Sequence, residues 1–347
     1  MTLGTTYIGS IAYGNSLFVA GGYSGLIHTS TDAITWTTQT SNFGGSNIFS
    51  VAYANNLWVA GGRAGQLRTS TDAITWTTQT SNFGTTAINS VAYGNNLFVA
   101  GGSAGQIRTS TDAITWTTRT SNFGTTNILS VAYGNSLWVA GGATGQIRTS
   151  TDAVTWVTRT SNFGTTAINS VAYGNSLWVA GGSYGQIRTS TDAITWTTQT
   201  SNFGGTGIIS LVYNNNLWVA GGGVGQIRTS TDAVTWVTQT SNFGISAVLS
   251  VAYGNSLWIA AGTTGQIRTS TDGVTWATQT SNFGITNIRS IAYGNSLWTA
   301  VGDTGQIRTS TVNQNYGMYI STDGIAWSTQ SLVLPVSNDN FTDGEVT

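Results

Sequence analysis

The hydrophobic pattern of the chain consists of short runs of β-branched, aromatic and aliphatic residues, separated by turns that are rich in Gly and Asn. In one stretch the runs cover residues 88–93, 97–100, 106–110 and 115–119. Runs of about five residues bounded in this way are typical of β-strands joined by tight turns. Since the pattern shows neither a sustained helical period nor a helix start, we predict four short strands in succession.

This four-strand pattern returns every 40 residues. Its first Ser recurs at Ser10, Ser50, Ser90, Ser130, Ser170, Ser210, Ser250 and Ser290. A β-solenoid is the alternative, but its coils are usually shorter and contain fewer hairpins. Four strands in each of eight units is the arrangement of a radial propeller. We therefore predict an all-β fold, an eight-bladed β-propeller of four-stranded antiparallel blades with a 40-residue repeat.

The predicted propeller occupies residues 1–335 as a single domain, with residues 336–347 as a tail or the remnant of a linker. Its units start near residues 8, 48, 88, 128, 168, 208, 248 and 288, and an insertion covers about 312–320 in the last blade. Leu3 and Leu334 both fall at the position of Phe43, so the two ends compete for one place at ring closure. We expect blade eight to pack against blade one, and leave open which end fills that place and what the insertion does.

A seven-residue motif precedes the fourth strand of each unit. Its copies at residues 30–36, Ser-Thr-Asp-Ala-Ile-Thr-Trp, and 270–276, Ser-Thr-Asp-Gly-Val-Thr-Trp, resemble the Asp-box or BNR repeat, Ser-x-Asp-x-Gly-x-Thr-Trp. That repeat lies between strands three and four of sialidase-like propeller blades. The present motif is one residue shorter between Asp and Trp, and most copies carry Ala after the Asp. The resemblance implies a sialidase-like propeller fold.

The Asp and the Trp of this motif are predicted to be structural. The Asp residues are Asp32, Asp72, Asp112, Asp152, Asp192, Asp232, Asp272 and Asp323, and the Trp residues are Trp36, Trp76, Trp116, Trp156, Trp196, Trp236, Trp276 and Trp327. An Asp in a tight turn can accept hydrogen bonds from nearby backbone N–H groups. A ring of calcium ligands is the alternative, but one carboxylate per unit is too few oxygens for one ion. The Trp rows are expected to pack between blades.

An Arg series occupies one position of the third strand. Its members are Arg68, Arg108, Arg148, Arg188, Arg228, Arg268 and Arg308, with His28 in the first unit. In the structural interpretation each Arg stacks on the aromatic residue of strand two or pairs with an Asp. In the functional one, the series lines a groove that binds carboxylates. The structural interpretation is favoured, and the sialidase resemblance is the reason to state the second, because sialidases hold a sialic acid carboxylate with an arginine triad.

The composition argues against catalysis. Charged residues make up 7% of the chain, Cys is absent, and there is one His. The resemblance implies that a sialidase would need a Tyr activated by a Glu and an acidic Asp. Outside the repeated motif the acids are Asp303, Asp339, Asp343 and Glu345. A general acid/base pair needs two carboxylates in unlike environments, which near-identical repeats do not readily supply. We predict no enzymatic activity, no metal site and no cofactor.

Differences among the units are concentrated in two places, between strands two and three and just before strand one. In a four-stranded blade both connections emerge on the same face, so we predict one variable face around the central mouth. Drift in tolerant loops explains such diversity, and so does ligand recognition, for which Tyr and Arg are favoured residues. The candidate ligand-binding residues are Tyr23, Phe49, Arg63, Tyr184, Arg289 and Asp303.

We therefore expect a non-catalytic, monomeric propeller that presents its variable face to a glycan or a protein. A structural module of an extracellular or viral-particle assembly, without a small ligand, is the alternative, and a sialidase-like glycoside hydrolase comes third. A net charge of −1 without a basic block predicts no nucleic-acid binding. Neither a secretory signal nor a run of about 20 apolar residues is evident, so we predict no membrane insertion. The compartment is left open, with extracellular and virion-associated locations among the alternatives.

Overall fold

The computed structural model describes residues 6–311 and 342–343. The chain forms eight four-stranded antiparallel sheets in these ranges, and each sheet pairs its strands in chain order. Successive first strands start 40 residues apart, at Ile8, Ile48 and so on to Ile288. The prediction of an all-β, eight-bladed propeller with a 40-residue repeat is confirmed.

The strands occupy equivalent positions in every blade. The first strands, which pack against one another at the hub, are Ile8–Gly14, Ile48–Ala54, Ile88–Gly94, Ile128–Gly134, Ile168–Gly174, Ile208–Asn214, Val248–Gly254 and Ile288–Gly294. The second strands are Leu17–Gly22, Leu57–Gly62, Leu97–Gly102, Leu137–Gly142, Leu177–Gly182, Leu217–Gly222, Leu257–Gly262 and Leu297–Gly302. The third strands are Ile27–Ser30, Leu67–Ser70, Ile107–Ser110, Ile147–Ser150, Ile187–Ser190, Ile227–Ser230, Ile267–Ser270 and Ile307–Thr311. The fourth strands are Thr37–Gln39, Thr77–Gln79, Thr117–Arg119, Val157–Arg159, Thr197–Gln199, Val237–Gln239, Ala277–Gln279 and Thr342–Asp343.

Short 3-10 turns follow the second strand in six blades. They are Tyr23–Gly25, Arg63–Gly65, Ser103–Gly105, Ser183–Gly185, Thr263–Gly265 and Asp303–Gly305. Each ends in a glycine with positive φ, as at Gly65 with φ +64. A Cβ on Gly65 would lie 2.4 Å from the carbonyl oxygen of Gly84, so both the backbone conformation and the space require glycine there.

The turn between the first and second strands holds two residues in the left-handed region, as at Asn55 and Asn56 with φ 49 and 58. Positive φ at both central residues gives the hairpin turn whose twist matches that of the strands. Asn tolerates this conformation better than most residues, which explains the Asn-rich turns of the sequence.

Neighbouring blades share one apolar core, and we call each such interface a seam. Between blades one and two, Ile27 packs with Phe43, Trp58 and Trp76, all of them buried. The ring centroids of Tyr53 and Trp58 lie 4.8 Å apart. Burying one large aromatic side chain removes about 150–250 Å² from water, which is at most about 4–6 kcal/mol. Rows of aromatic residues therefore seal the seams.

The seam between blades eight and one closes the ring. Ile8, Phe18 and Trp36 of blade one form one cluster with Val301 and Ile307 of blade eight. This closing seam therefore has the same kind of apolar core as the others. The competing residues Leu3 and Leu334, the insertion at 312–320, and Asp323 with Trp327 lie outside the described residues.

Two residues of the segment that was predicted as a tail take part in blade eight. The strand Thr342–Asp343 pairs with Thr309 and Arg308 of the third strand, in the position of the fourth. The remainder of the predicted tail lies outside the described residues.

Candidate binding face

Hydrogen bonds bring the two variable regions of the sequence together on one face. The backbone N–H of Arg63, between strands two and three, donates to the carbonyl oxygen of Asn47, just before the first strand, at 2.8 Å. The N–H of Ser24 likewise donates to the Asn47 side-chain oxygen at 3.2 Å. The loops between strands two and three, with the connections that enter and leave each blade, form what we call the variable face. The Ser-Thr-Asp turns lie on the opposite face.

The six candidate ligand-binding residues all belong to this face or its mouth, but they do not form one site. Tyr23, Arg63 and Tyr184 are exposed in the loops of blades one, two and five. Phe49 is half-buried at a β-bulge of an innermost strand, between Ile48 and Ser50.

Tyr23, Arg289 and Asp303 meet at the closing seam. The Arg289 guanidinium donates to both carboxylate oxygens of Asp303, from Nε at 2.8 Å and from Nη2 at 3.0 Å. The Cζ of Arg289 lies 5.1 Å from the centre of the Tyr7 ring, and the Tyr7 and Tyr23 rings are 4.2 Å apart. The hydrogen bonds with the Asp303 carboxylate raise the pKa of Arg289, and burial raises the pKa of Tyr7.

Tyr7 is the member of this group that sequence reasoning missed. It occupies the position of Asn47 in the repeat, and its carbonyl oxygen accepts the N–H of Tyr23 at 2.8 Å, as that of Asn47 accepts the N–H of Arg63. The sequence does contain a signal for Tyr7, because the later units hold Asn, Ala or Gly at this position and never an aromatic residue.

Tyr184 stands beside a shallow depression of about 470 Å³. The lining residues are Thr165, Thr166, Ala167, Ser183, Tyr184, Gly205 and Gly207. Because the lining side chains other than Tyr184 are small or absent, backbone groups of the two neighbouring connections border the depression. Arg63 lies three blades away, so the structure does not bring it to Tyr184.

The Arg series is buried inside the seams. Arg148 donates from Nε to the carbonyl oxygen of Asn122 at 3.0 Å, from Nη1 to that of Ile147 at 3.0 Å, and from Nη2 to Oε1 of Gln146 at 2.8 Å. Its Cζ lies 4.8 Å from the centre of the Phe123 ring. The other six members stack on the equivalent Phe.

The expectation that each Arg stacks on the strand-two aromatic residue or pairs with an Asp is therefore wrong. Arg148 lies opposite Ala140 in the sheet, and its side chain reaches back to the segment that connects blades three and four. The aromatic partner there is Phe123, and the acceptors are backbone carbonyl groups and a Gln. Burial of Arg148 also argues against an open, carboxylate-binding groove and lowers the pKa of the guanidinium.

His28 occupies the position of the Arg series in blade one. Its Nδ1 lies 3.0 Å from the hydroxyl oxygen of Thr38, and its buried Nε2 has no hydrogen-bond partner among the described residues. Burial lowers the pKa of His28 to about 4. The ring is therefore neutral at pH 7.

The Asp of each described Ser-Thr-Asp turn accepts several hydrogen bonds. Asp72 Oδ1 accepts the N–H groups of Ile74 and Thr75 and the hydroxyl of Ser70, each at 2.8 Å. The N–H groups of Thr75 and Ile74 hold the pKa of Asp72 below its ordinary value. The indole N–H of Trp76 donates to the Ala73 carbonyl oxygen at 2.8 Å, which closes the turn. Within residues 6–311 and 342–343, His, Asp and Glu form no group of three that could hold a metal ion.

These features define the class of protein as an eight-bladed β-propeller with one variable face. No family model matches the chain, and no curated protein is similar to it. Among solved structures it is similar to the computationally designed protein Ika8, with a TM-score of 0.74, 15% identity, and coverage of 89% of this chain and 97% of that one.

Two natural propellers are also similar in structure. Sqt1 of Saccharomyces cerevisiae gives a TM-score of 0.72 at 12% identity, over 89% of this chain and 96% of that one. YCF48 bound to D1 peptide gives 0.58 at 16% identity, over 75% and 90%. Identities this low show the fold alone. Among the described residues, the helices are single short turns, and none could cross a membrane.

Proposed function

We propose that the protein is a non-catalytic binding disc whose variable face recognises a protein partner. The observation that carries this proposal is the contrast between the two faces. The Ser-Thr-Asp turns of the opposite face hardly differ between blades, whereas the variable face holds Tyr23, Arg63 and Tyr184 at exposed positions. Tyr and Arg are enriched at recognition hot spots, and rigid loops on a regular scaffold are common binding elements.

The proposal of a protein partner draws support from one structural neighbour. The structure of YCF48 has been solved with bound D1 peptide, so a propeller similar to this one can bind a peptide. A glycan is the second candidate, and it is favoured by one observation. Tyr184 stands exposed beside a depression lined by Thr165, Thr166 and Ser183, and an aromatic ring with neighbouring hydroxyl groups suits a sugar.

The Ser-Thr-Asp turn is, in this proposal, a shortened relative of the Asp-box with a structural role. Each described copy uses its carboxylate within its own turn, as Asp72 does. The charged pair Arg289 and Asp303 is likewise engaged in its own hydrogen bonds. These engaged charges support a role other than catalysis. Hydrolysis of a fluorogenic sialoside by the chain, if an Arg→Ala change in the Arg series abolished it, would contradict the non-catalytic role.

The test of the proposal is to probe glycan and peptide arrays with the purified chain and two surface variants. The first variant carries Tyr23→Ser, Arg63→Ser and Tyr184→Ala. Each new residue occurs at the same position of another blade, as Ser103 and Ala64 do. The matched variant carries Ile74→Thr, Ile114→Thr and Ile194→Thr on the opposite face. We expect spots that bind the parent to be lost with the first variant and kept with the second.

Two other outcomes are informative. Loss of binding with the Ile variant instead would place recognition on the opposite face and contradict the proposal. Blank peptide and glycan arrays would favour the alternative, a structural module of a larger assembly, and the loop differences would then be drift.

A further inference from the structure

Most of the exposed large apolar side chains on the described part of the variable face lie in one sector. Outside the strands they are Tyr184 at 70%, Val224 at 51%, Ile245 at 89%, Ile285 at 88% and Tyr23 at 39%, and Ile209 in the first strand of blade six is 37% exposed. Tyr23 stacks on Tyr7 at the closing seam, whereas Tyr184, Val224, Ile245 and Ile285 follow one another from blade five to the connection that enters blade eight. We call Tyr184, Val224, Ile245 and Ile285 the apolar arc.

The same positions hold small residues in the other half of the disc. Three blades earlier, the equivalents of the arc are Ala64, Ala104, Thr125 and Thr165. The backbone is alike in both sectors, since φ is 55 at Tyr184, 54 at Val224, 55 at Ala64 and 52 at Ala104. The scaffold therefore does not require large apolar side chains at these positions. Side chains almost wholly in water, such as those of Ile245 and Ile285, stabilise the monomer little, so folding does not account for their presence in this sector.

The surface around the apolar arc is uncharged. The loops and connections of the sector, residues 183–187, 203–209, 223–227, 243–249 and 263–267, contain no charged residue. At its far end Arg289 and Asp303 neutralise each other through two hydrogen bonds. A charged partner would lose water there without gaining an opposite charge, so complementarity favours an uncharged one.

The surface beside Tyr184 favours a polypeptide over a purely apolar ligand. The depression of about 470 Å³ is bordered by Gly205 and Gly207, which carry no side chain to cover the backbone, and by the hydroxyl groups of Thr165 and Thr166. Peptide N–H and C=O groups must be hydrogen-bonded when they are buried, and this depression offers such partners next to an aromatic ring.

We infer that the apolar arc docks an uncharged, apolar segment of another protein, with an aromatic or aliphatic side chain beside Tyr184 and further apolar side chains over Val224, Ile245 and Ile285. This inference rests on the proposed function and assigns it one sector and one partner chemistry. The remainder of the variable face, including Arg63, then contributes little to binding.

The experiment selects a displayed library of random 12-residue peptides on the full chain. Bound peptides are then measured on four variants. The arc variant carries Tyr184→Ala, Val224→Ala, Ile245→Thr and Ile285→Thr, each a residue that another blade has at that position. The transplant variant adds the corresponding changes three blades away, Arg63→Ser, Ala64→Tyr, Thr85→Gly, Ala87→Gly, Ala104→Val, Thr125→Ile and Thr165→Ile, which rebuild the arc and the uncharged, glycine-bordered surface beside it.

Two controls locate the binding site. One carries Tyr23→Ser and Arg63→Ser on the rest of the variable face, and the other carries Ile74→Thr, Ile114→Thr, Val154→Thr and Ile194→Thr on the opposite face. We expect uncharged, apolar peptides whose affinity falls about tenfold or more on the arc variant, stays unchanged on both controls and is regained on the transplant. Circular dichroism of each variant checks that the fold is kept, and the transplant gives a positive signal in a chain that has lost its original arc.

Several results would overturn the inference, and they separate it from the proposed function. Peptides that bind the arc variant as well as the parent, that carry a net charge, or that are not enriched at all would refute it. If binding were lost only on the Tyr23 and Arg63 control, the inference about the apolar arc would be wrong, whereas the proposed function of the variable face would be supported. Loss only on the opposite-face control would refute both. A dimer in sedimentation that the arc variant dissociates would identify a second copy as the occupant.

Discussion

The seven repeated seams and the closing seam share an apolar core but hold their blades together differently. In each repeated seam a buried Arg, such as Arg148, stacks on the Phe of the preceding segment and donates to backbone carbonyl groups. In the closing seam His28 takes the place of that Arg. An ion pair between Arg289 and Asp303, with Tyr7 stacked on the guanidinium, lies at its surface.

Unlike residues in a repeat protein therefore need not belong to a ligand site. Three of the six candidate residues, Tyr23, Arg289 and Asp303, lie where the ring closes, and their departure from the repeat has a structural explanation there. Tyr184 has no such explanation, because its seams are of the repeated kind. Diversity at the closing seam and diversity elsewhere on the face therefore need separate tests.

The largest expected effect separates the two kinds of seam directly. Arg148→Ala removes the donors to the Asn122 carbonyl group and the stack on Phe123, so we expect a loss of about 3 kcal/mol in the free energy of unfolding. His28→Ala removes one hydrogen bond and an imidazole nitrogen without a described partner, and should cost about 1 kcal/mol. Urea unfolding of both variants gives the comparison. Equal losses would mean that the buried Arg is not what distinguishes the repeated seams.

The second expected effect is the pH dependence of the closing seam. The pKa of His28 is lowered from 6.5 to about 4 in the folded chain, so the unfolded chain binds a proton first as the pH falls. The stabilising contribution is complete above pH 6.5 and is lost progressively towards pH 4, by about 2 kcal/mol between pH 7 and pH 5.

Urea unfolding at several pH values in this range measures the effect, with His28→Gln as the control that does not titrate. The Asp turns contribute little to the change between pH 7 and pH 5, because hydrogen bonds from their own backbone hold the pKa of each carboxyl group below its ordinary value, and carboxyl groups of the unfolded chain protonate only at about pH 4. A parent and a variant with the same pH dependence would contradict the assignment to His28.

A smaller effect concerns the aromatic rows. The indole N–H of Trp76 donates to Ala73, whereas the buried N–H of Trp58 in the same seam has no partner among the described residues. Trp76→Phe should cost about 2 kcal/mol, because it leaves a gap and an unpaired carbonyl group. Trp58→Phe leaves a gap of the same size but should cost only about 1 kcal/mol, because it removes an unsatisfied donor and leaves no carbonyl group unpaired. Thermal melting of the two variants ranks them, and the reverse order would refute the explanation.

The smallest effect is expected at the surface ion pair. Asp303→Asn removes the charge that faces Arg289 and should cost about 1 kcal/mol or less, because both side chains remain partly in water. The loss should shrink as salt is added, since screening already weakens the pair in the parent. Melting temperatures at low and high salt test this, and a loss that does not depend on salt would show that the pair acts through packing.

Much of the fold could be predicted because each local signal repeats in register. The Asn-rich turns, the Gly after each second strand and the Asp turns are set by contacts within a few residues, and the 40-residue period supplies the blade number. The partner of Arg148 could not be predicted in the same way. Phe123 belongs to the segment before the blade, and its approach depends on how far one blade is rotated from the next.

The candidate site was predictable in outline and not in detail. The order of strands in a blade is enough to predict that Arg63 and Asn47 lie on the same face of the disc. The grouping of Tyr7 with Arg289 requires the two ends of the chain to meet, which no local pattern encodes. Ile245 and Ile285 could not be distinguished from core residues by sequence, and only their exposure of 89% and 88% sets them apart.

The likeness of the seven repeated seams bears on whether the chain closes its own ring or associates with another molecule. A blade presents one face of its sheet to the next blade and the opposite face to the previous one. Because the repeated seams are alike, a face left uncovered can pack on a blade of another molecule and start an open-ended polymer. A single correct neighbour is specified where the series ends, and there the repeated Arg gives way to His28 while Arg289 and Asp303 form a pair that no other blade offers. The contact of Arg289 with Tyr7, which in turn stacks on Tyr23, fits blade eight to blade one rather than to any other blade, and the covalent link within one chain favours the blade of the same molecule.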